Sequence, residues 1–96
     1  MEIKVVNIRN EKADVYIGRG SKWGNPFRIG ADGTRADVIR KYRDYILKRQ
    51  DLLNSLGELI GKRLGCYCAP LACHGDVLKD LAENGFKPTI TEEEVK

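Results

Sequence analysis

The chain has 96 residues, 42% of them apolar, which suffices for one domain around one core and falls short of what two domains need. Its 17 basic and 14 acidic residues leave a net charge of +3 with the signs interspersed, a balance that permits a phosphate-bearing partner but gives no strong argument for a protein that coats DNA. No apolar run approaches the roughly 20 residues of a membrane helix, and the start MEIKVVNIRN is too short and polar for a secretory signal, so a soluble, cytoplasmic protein without a membrane partner is expected.

Ile3 to Ile8, I-K-V-V-N-I, is β-branched and nearly continuous, the pattern of a strand covered on both faces. Asn10-Glu11-Lys12 reads as a turn, and Asp14 to Gly18 as a second short strand that the polar, glycine-bearing segment after it cannot continue. Thr34, with Asp37 three positions later, is placed to cap a helix in a capping-box arrangement. Val38, Ile39, Tyr42, Tyr45 and Ile46 then recur at helical spacing, with Arg35, Arg40, Lys41, Arg43, Lys48 and Arg49 largely elsewhere. That pattern predicts an amphipathic helix from about residue 35 to about residue 49.

Leu52, Leu53, Leu56, Leu59 and Ile60 form the stripe of a second helix, which Asp51 could cap and Gly61 could end. Lys62 to Cys68 returns to strand pattern. After the turn A-P-L-A-C-H-G, a last short helix carries Val77, Leu78 and Leu81 and stops at Asn84-Gly85. The order strand, strand, helix, helix, strand, helix predicts the α/β class: a small single domain over residues 1–88, with about three helices packed on a three-stranded, at least partly parallel sheet. Residues 89–96 read as an acidic, mobile tail. The open sheet edges would suit a homodimer.

Two unusual segments, R-G-S-K-W-G-N-P-F after the second strand and A-P-L-A-C-H-G-D after the third, leave the carboxyl ends of strands, where α/β domains bind ligands. Parallel strands would make them converge. The first offers cationic Arg19, Lys22 and Arg28, the hydroxyl of Ser21, the amide of Asn25, and Gly20 and Gly24 for close backbone approach. Trp23 adds a flat face for stacking on a base or sugar. The same residues also describe a tight turn with Trp23 as a core plug and the charges in solvent. The second segment ends at a helix start, where free amides can hold an anion. There Asp76 either favours the helix dipole or acts as a general base.

Residues 65–76, G-C-Y-C-A-P-L-A-C-H-G-D, hold all three cysteines and the only histidine. The odd count, with Cys66 and Cys68 about 7 Å apart at their Cα atoms in a strand, argues against a secreted disulfide scaffold. Cys66, Cys68, Cys73 and His74 match the ligand count of a zinc site, although adjacent Cys73-His74 is poor spacing for a knuckle, and a three-ligand metal with an open position is a further option. Without metal, Cys73 at a helix amino terminus would be a nucleophile favoured as thiolate, with His74 as acid or base towards a substrate. Alternatively Cys66 and Cys68 are small buried side chains on a core strand. These three readings stand open.

The two motifs together, across about residues 15–82, resemble an uncharacterised family of short bacterial, archaeal and phage proteins, number 4326 among the domains of unknown function. The match lies at Gly18, Arg19, Trp23, Gly24, Asn25, Pro26 and Phe27, and then at Cys66, Cys68, Pro70, Cys73, His74 and Asp76. The resemblance implies no activity, since the family carries none that transfers. The gap between Cys68 and Cys73 is shorter here than in many relatives, and a variable gap suits a loop over a ligand better than a rigid metal knuckle.

These features predict binding of a nucleotide or another phosphorylated, ring-bearing metabolite between the two loops. Arg19 and Lys22 would hold phosphate, Trp23 would stack, Asn25 would orient, and Cys73, His74 or Asp76 would carry any chemistry. The rival is a zinc-stabilised, non-enzymatic module that touches nucleic acid or protein through the basic helix.

Overall fold

The computed structural model describes residues 2–68 and 71–85. Helix α1 (Arg35–Leu47) starts where the sequence places its cap: Asp37 N donates to Thr34 Oγ1 at 3.2 Å, and Thr34 N donates to Asp37 Oδ2 at 2.8 Å. The hydrogen bonds from Thr34, with Arg40 alongside, hold the exposed Asp37 carboxyl down at about 2. Val38, Tyr42 and Ile46 form the buried stripe. The helix ends at Leu47, two residues earlier than the pattern suggested, because Lys48 N turns back to the Tyr45 carbonyl at 3.2 Å.

Helix α2 (Gln50–Ser55) is capped by extended Arg49, not by Asp51. The Asp51 carboxylate accepts from Arg49 Nε at 3.0 Å and Nη2 at 2.9 Å, which takes it out of the capping position. The leucine stripe continues through a 3-10 turn, Leu56–Leu59, and the chain reverses at Gly61, whose φ of 72° lies in the left-handed region.

Strands β1 (Lys4–Asn7), β2 (Val15–Tyr16) and β3 (Arg63–Cys66) form one sheet in the order β1-β3-β2, parallel throughout. The central strand is β3, in which Leu64, Gly65 and Cys66 are buried; β1 lies at an edge with Lys4 exposed, yet Val5 and Val6 are covered on its two faces as expected. Register puts Val5, Leu64 and Val15 on one face, where the helices pack, and Val6, Gly65 and Tyr16 on the other. Helix α3 (His74–Asn84) contacts β1, α1 and the 3-10 turn, and buries Val77, Leu78 and Leu81.

Parallel strands flanking a common partner need a crossover, and the one between β1 and β2 has no helix. It passes over Gly65, where an added Cβ would collide with Ala13 Cβ and Ile8 Cγ2. The missing side chain in the central strand is therefore the space the crossover occupies. Among the described residues no helix is long and apolar enough to cross a membrane. The domain boundary expected near residue 88 and the acidic tail lie outside the described residues.

Gly65→Ala should cost about 1–3 kcal/mol by overpacking, read as a lower thermal midpoint by roughly 4–8 °C per kcal/mol for a domain of this size. Gly57→Ala, where an added Cβ meets nothing within 4 Å, should leave the midpoint near that of the parent.

Candidate functional site

The loop that follows β2 is fixed by hydrogen bonds to α1. Tyr42 Oη donates to the Trp23 carbonyl at 2.7 Å inside the core, and Asn25 Nδ2 donates to the Val38 carbonyl at 3.2 Å. Ser21 Oγ closes the turn on the Gly18 carbonyl at 2.7 Å. Trp23 is 2% exposed, so its ring plugs the core and is not available for stacking; its Nε1 donates to Glu58 at 3.3 Å. Lys22 is drawn to the same Glu58, at 3.0 Å. A Cβ on Gly24 would sit 2.8 Å from the Gly18 carbonyl oxygen, so that glycine serves the loop's own closure. The structure thus places the Trp23 ring in the core, ties Ser21, Lys22 and Gly24 to contacts of the loop itself, and puts Arg19, Asn25 and Arg28 in the wall of a cavity.

The second loop meets the first at the start of α3. Cys73 is the helix N-cap: its Sγ accepts from Gly75 N at 3.3 Å, while its own N–H donates to Asp76 Oδ2 at 3.0 Å. Asp76 is therefore the third-position partner of the capping box, and it lines neither of the cavities described below. His74 is 8% exposed, with its ring edge-on to Tyr42 at 5.0 Å between centroids. Its Nε2 lies 2.6 Å from the Ile17 carbonyl oxygen, which can only accept, so Nε2 carries the proton. Burial pushes the imidazolium pKa down, which keeps the ring neutral with Nδ1 as an acceptor.

Two cavities, about 330 and 310 Å³, share Arg19, Asn25, Cys68 and His74 in their walls, so the loops converge as parallel strands require. The first also takes in Phe27, Arg28, Arg35 and Cys73, and among the described residues no carboxylate lines it. Arg35 is braced by donating to the Ala72 carbonyl at 3.0 Å, and among the described residues none of these three arginines is ion-paired. The second cavity has Tyr16 and Tyr67 on its rim, both about half exposed. Sequence reasoning passed over Arg35, Phe27, Tyr16 and Tyr67. The usable signal for Arg35 was its place as first residue of a capped helix, at the end that faces the loops.

The three thiols gather at the junction of the cavities. The sulfurs of Cys66, Cys68 and Cys73 all lie within 4.8 Å of one another, with Cys66 and Cys73 at 3.5 Å. Among the described residues His74 is not part of the group, so of the expected four-ligand set three side chains lie together. The Cys73 thiol is pushed well above the ordinary thiol range, first by its hydrogen bond with Cys66 and then by burial.

The family model described as "Domain of unknown function (DUF4326)" matches residues 3–84 of the chain. An uncharacterised 12.4 kDa protein from the nrdA-td intergenic region of Enterobacteria phage T4 is 36% identical over 97 residues, covering 96% of this chain and 88% of its own length. No solved structure matches.

Because the folded-state pKa of His74 lies below its ordinary 6.5, the unfolded chain binds the extra proton first as pH drops. Stability should be level above about pH 7 and decline as pH falls below 6.5, before the carboxylates titrate. Chemical denaturation between pH 8 and pH 5 should show this slope in the parent and its loss in His74→Gln.

Proposed function

Taking as premise that the chain belongs to the DUF4326 family, we propose that it binds a nucleotide, or another phosphorylated ring-bearing small molecule, in the paired cavities between its two loops. The observation that carries this reading is the wall formed by Arg19, Arg28 and Arg35, with no lining carboxylate among the described residues. Guanidinium groups match phosphate oxygens in charge and in bidentate geometry, and their clustering without anions is costly unless a ligand supplies the charge.

The ring-binding part moves from Trp23 to other aromatics. Tyr16 and Tyr67 beside the second cavity offer half-exposed faces, and Phe27 lines the first. Asn25 and the Nδ1 acceptor of His74 supply the few convergent polar groups that fix a ligand's orientation in such pockets. The rival reading, a module that contacts nucleic acid through the basic helix, has less support. Arg40, Arg43 and Arg49 pair with Asp37, Asp80 and Asp51 at 3.1, 3.0 and 2.9 Å, and Lys41 donates to the Asp32 carbonyl.

Thermal shift and calorimetry with pyrophosphate and with nucleoside mono- and diphosphates test the reading. A ligand at about 100 times its Kd should add about 2.7 kcal/mol of stability. Arg19→Ala and Arg35→Ala should each weaken binding about tenfold or more, as expected for a lost charge-assisted hydrogen bond of about 1.5–3 kcal/mol. Trp23→Phe should bind as the parent does. No response to any phosphate compound, or a response indifferent to both arginines, would defeat the proposal.

A further inference from the structure

We propose that Cys66, Cys68 and Cys73 hold one thiophilic divalent metal ion, of which zinc is the best fit, through three thiolates, with the fourth coordination position open to the ligand cavities. Two pieces of backbone converge to make the cluster: the end of β3, with Cys66 its last residue and Cys68 two positions on, and the N-cap of α3. Two sulfurs bound at about 2.3 Å to a tetrahedral ion stand about 3.8 Å apart. The Cys66–Cys73 separation is 3.5 Å and no pair in the cluster exceeds 4.8 Å, so small side-chain rotations bring all three to bonding distance.

The surroundings favour charge on these sulfurs once a cation is present. Gly75 N donates to Cys73 Sγ at 3.3 Å and Cys68 N lies 3.5 Å from Cys66 Sγ, backbone contacts of the kind that orient and stabilise ligating thiolates. The amino end of α3 adds its dipole in the same sense. Each thiol gives up a proton on binding, so one ion replaces three protons and the site carries one net negative charge.

The cluster is closed on one side and open on the other. Cys66 and Cys73 are 2% and 4% exposed, whereas Cys68 is partly exposed and lines both cavities. Among the described residues the donor atoms that lie within reach of one another are the three sulfurs, and His74 is not one of the group, so the chain supplies three ligands. An open position is the feature that separates a reactive or ligand-binding metal from a structural one. The metal assignment rests on the donors alone and does not require the phosphate reading, so either can fail without the other.

The full-length, untagged chain, fully reduced, should be titrated with cobalt(II), following the thiolate-to-cobalt absorption in the near ultraviolet and the visible bands of tetrahedral cobalt, with zinc as competitor. The expected result is about one ion per chain, charge-transfer intensity for three thiolates, and protection of all three thiols from alkylation. Cys68→Ser should lower cobalt affinity by about tenfold or more while melting like the parent in chelator, because Cys68 lies outside strand and helix. The competing chemistry is a Cys66–Cys73 disulfide, which would leave Cys68 free. No uptake by the reduced parent, uptake indifferent to Cys68, or intensity for two thiolates or fewer would overturn the proposal. If Cys68→Ser does not fold, the thiolate count in the parent decides.

Discussion

One buried hydrogen bond, from His74 Nε2 to the Ile17 carbonyl at 2.6 Å, joins the first residue of α3 to the chain just past β2. Left unmade, it would strand a carbonyl and an imidazole in the core, at about 1–3 kcal/mol for each unsatisfied group. Because it is made, the start of α3 sits over the end of the sheet and the imidazole takes one tautomer. Tyr42 supports the same junction from α1. Its ring packs edge-on against His74, its hydroxyl fixes the Trp23 carbonyl, and burial holds the phenol protonated far beyond ordinary pH. The site is thus a consequence of two polar side chains placed inside an otherwise apolar core.

Local chemistry was legible from the residues; direction was not. T-R-A-D announced a capped helix because the two side chains and two amides involved lie within one turn, and the Val38, Tyr42, Ile46 stripe needed only helical periodicity. The parallel sheet and the meeting of the two loops followed from element order. Trp23 was ambiguous for a physical reason: an indole has a large apolar body and one donor, so it can stack on a ligand or fill a core. The choice was made by Glu58, 35 residues away, which accepts its Nε1–H. The run Ile3–Ile8 read as covered on both faces, and Val5 against the core and Val6 buried on the opposite face agree with it; that the central strand would be the later one, with a glycine in it, was not legible. That the Ile17 carbonyl takes His74 Nε2 was not legible, because the two residues lie far apart in sequence.

The distribution of charge pairs separates the cavity from the rest of the surface. Lys22, Arg43, Arg63 and Lys79 find carboxylates elsewhere in the fold at 3.0 to 3.5 Å. Arg19, Arg28 and Arg35 line a cavity that holds none among the described residues. Exposed pairs contribute little stability each, so pairing them is not what holds the domain together. Leaving three cations unpaired around one concave space is nonetheless a selective arrangement, since concave walls focus the field and raise the local concentration of anions. The arginines and the thiols line adjoining cavities that share Arg19, Asn25, Cys68 and His74 in their walls.

The enclosed strand with its crossing glycine also bears on how the chain emerges from the ribosome. Lys4 pairs with Arg63 and Val15 with Leu64, and β1 and β2 never pair with each other. When the first two strands leave the exit tunnel they have no partner, and the sheet has to wait until β3 is made. Helix α1, with its own cap and apolar stripe, is the part equipped to form in the interval. Parallel pairings of this range belong to the slow part of folding. The apolar run of β1 therefore has no strand partner until β3 has been made, and until then collapse onto the emerging helices is the means of covering it.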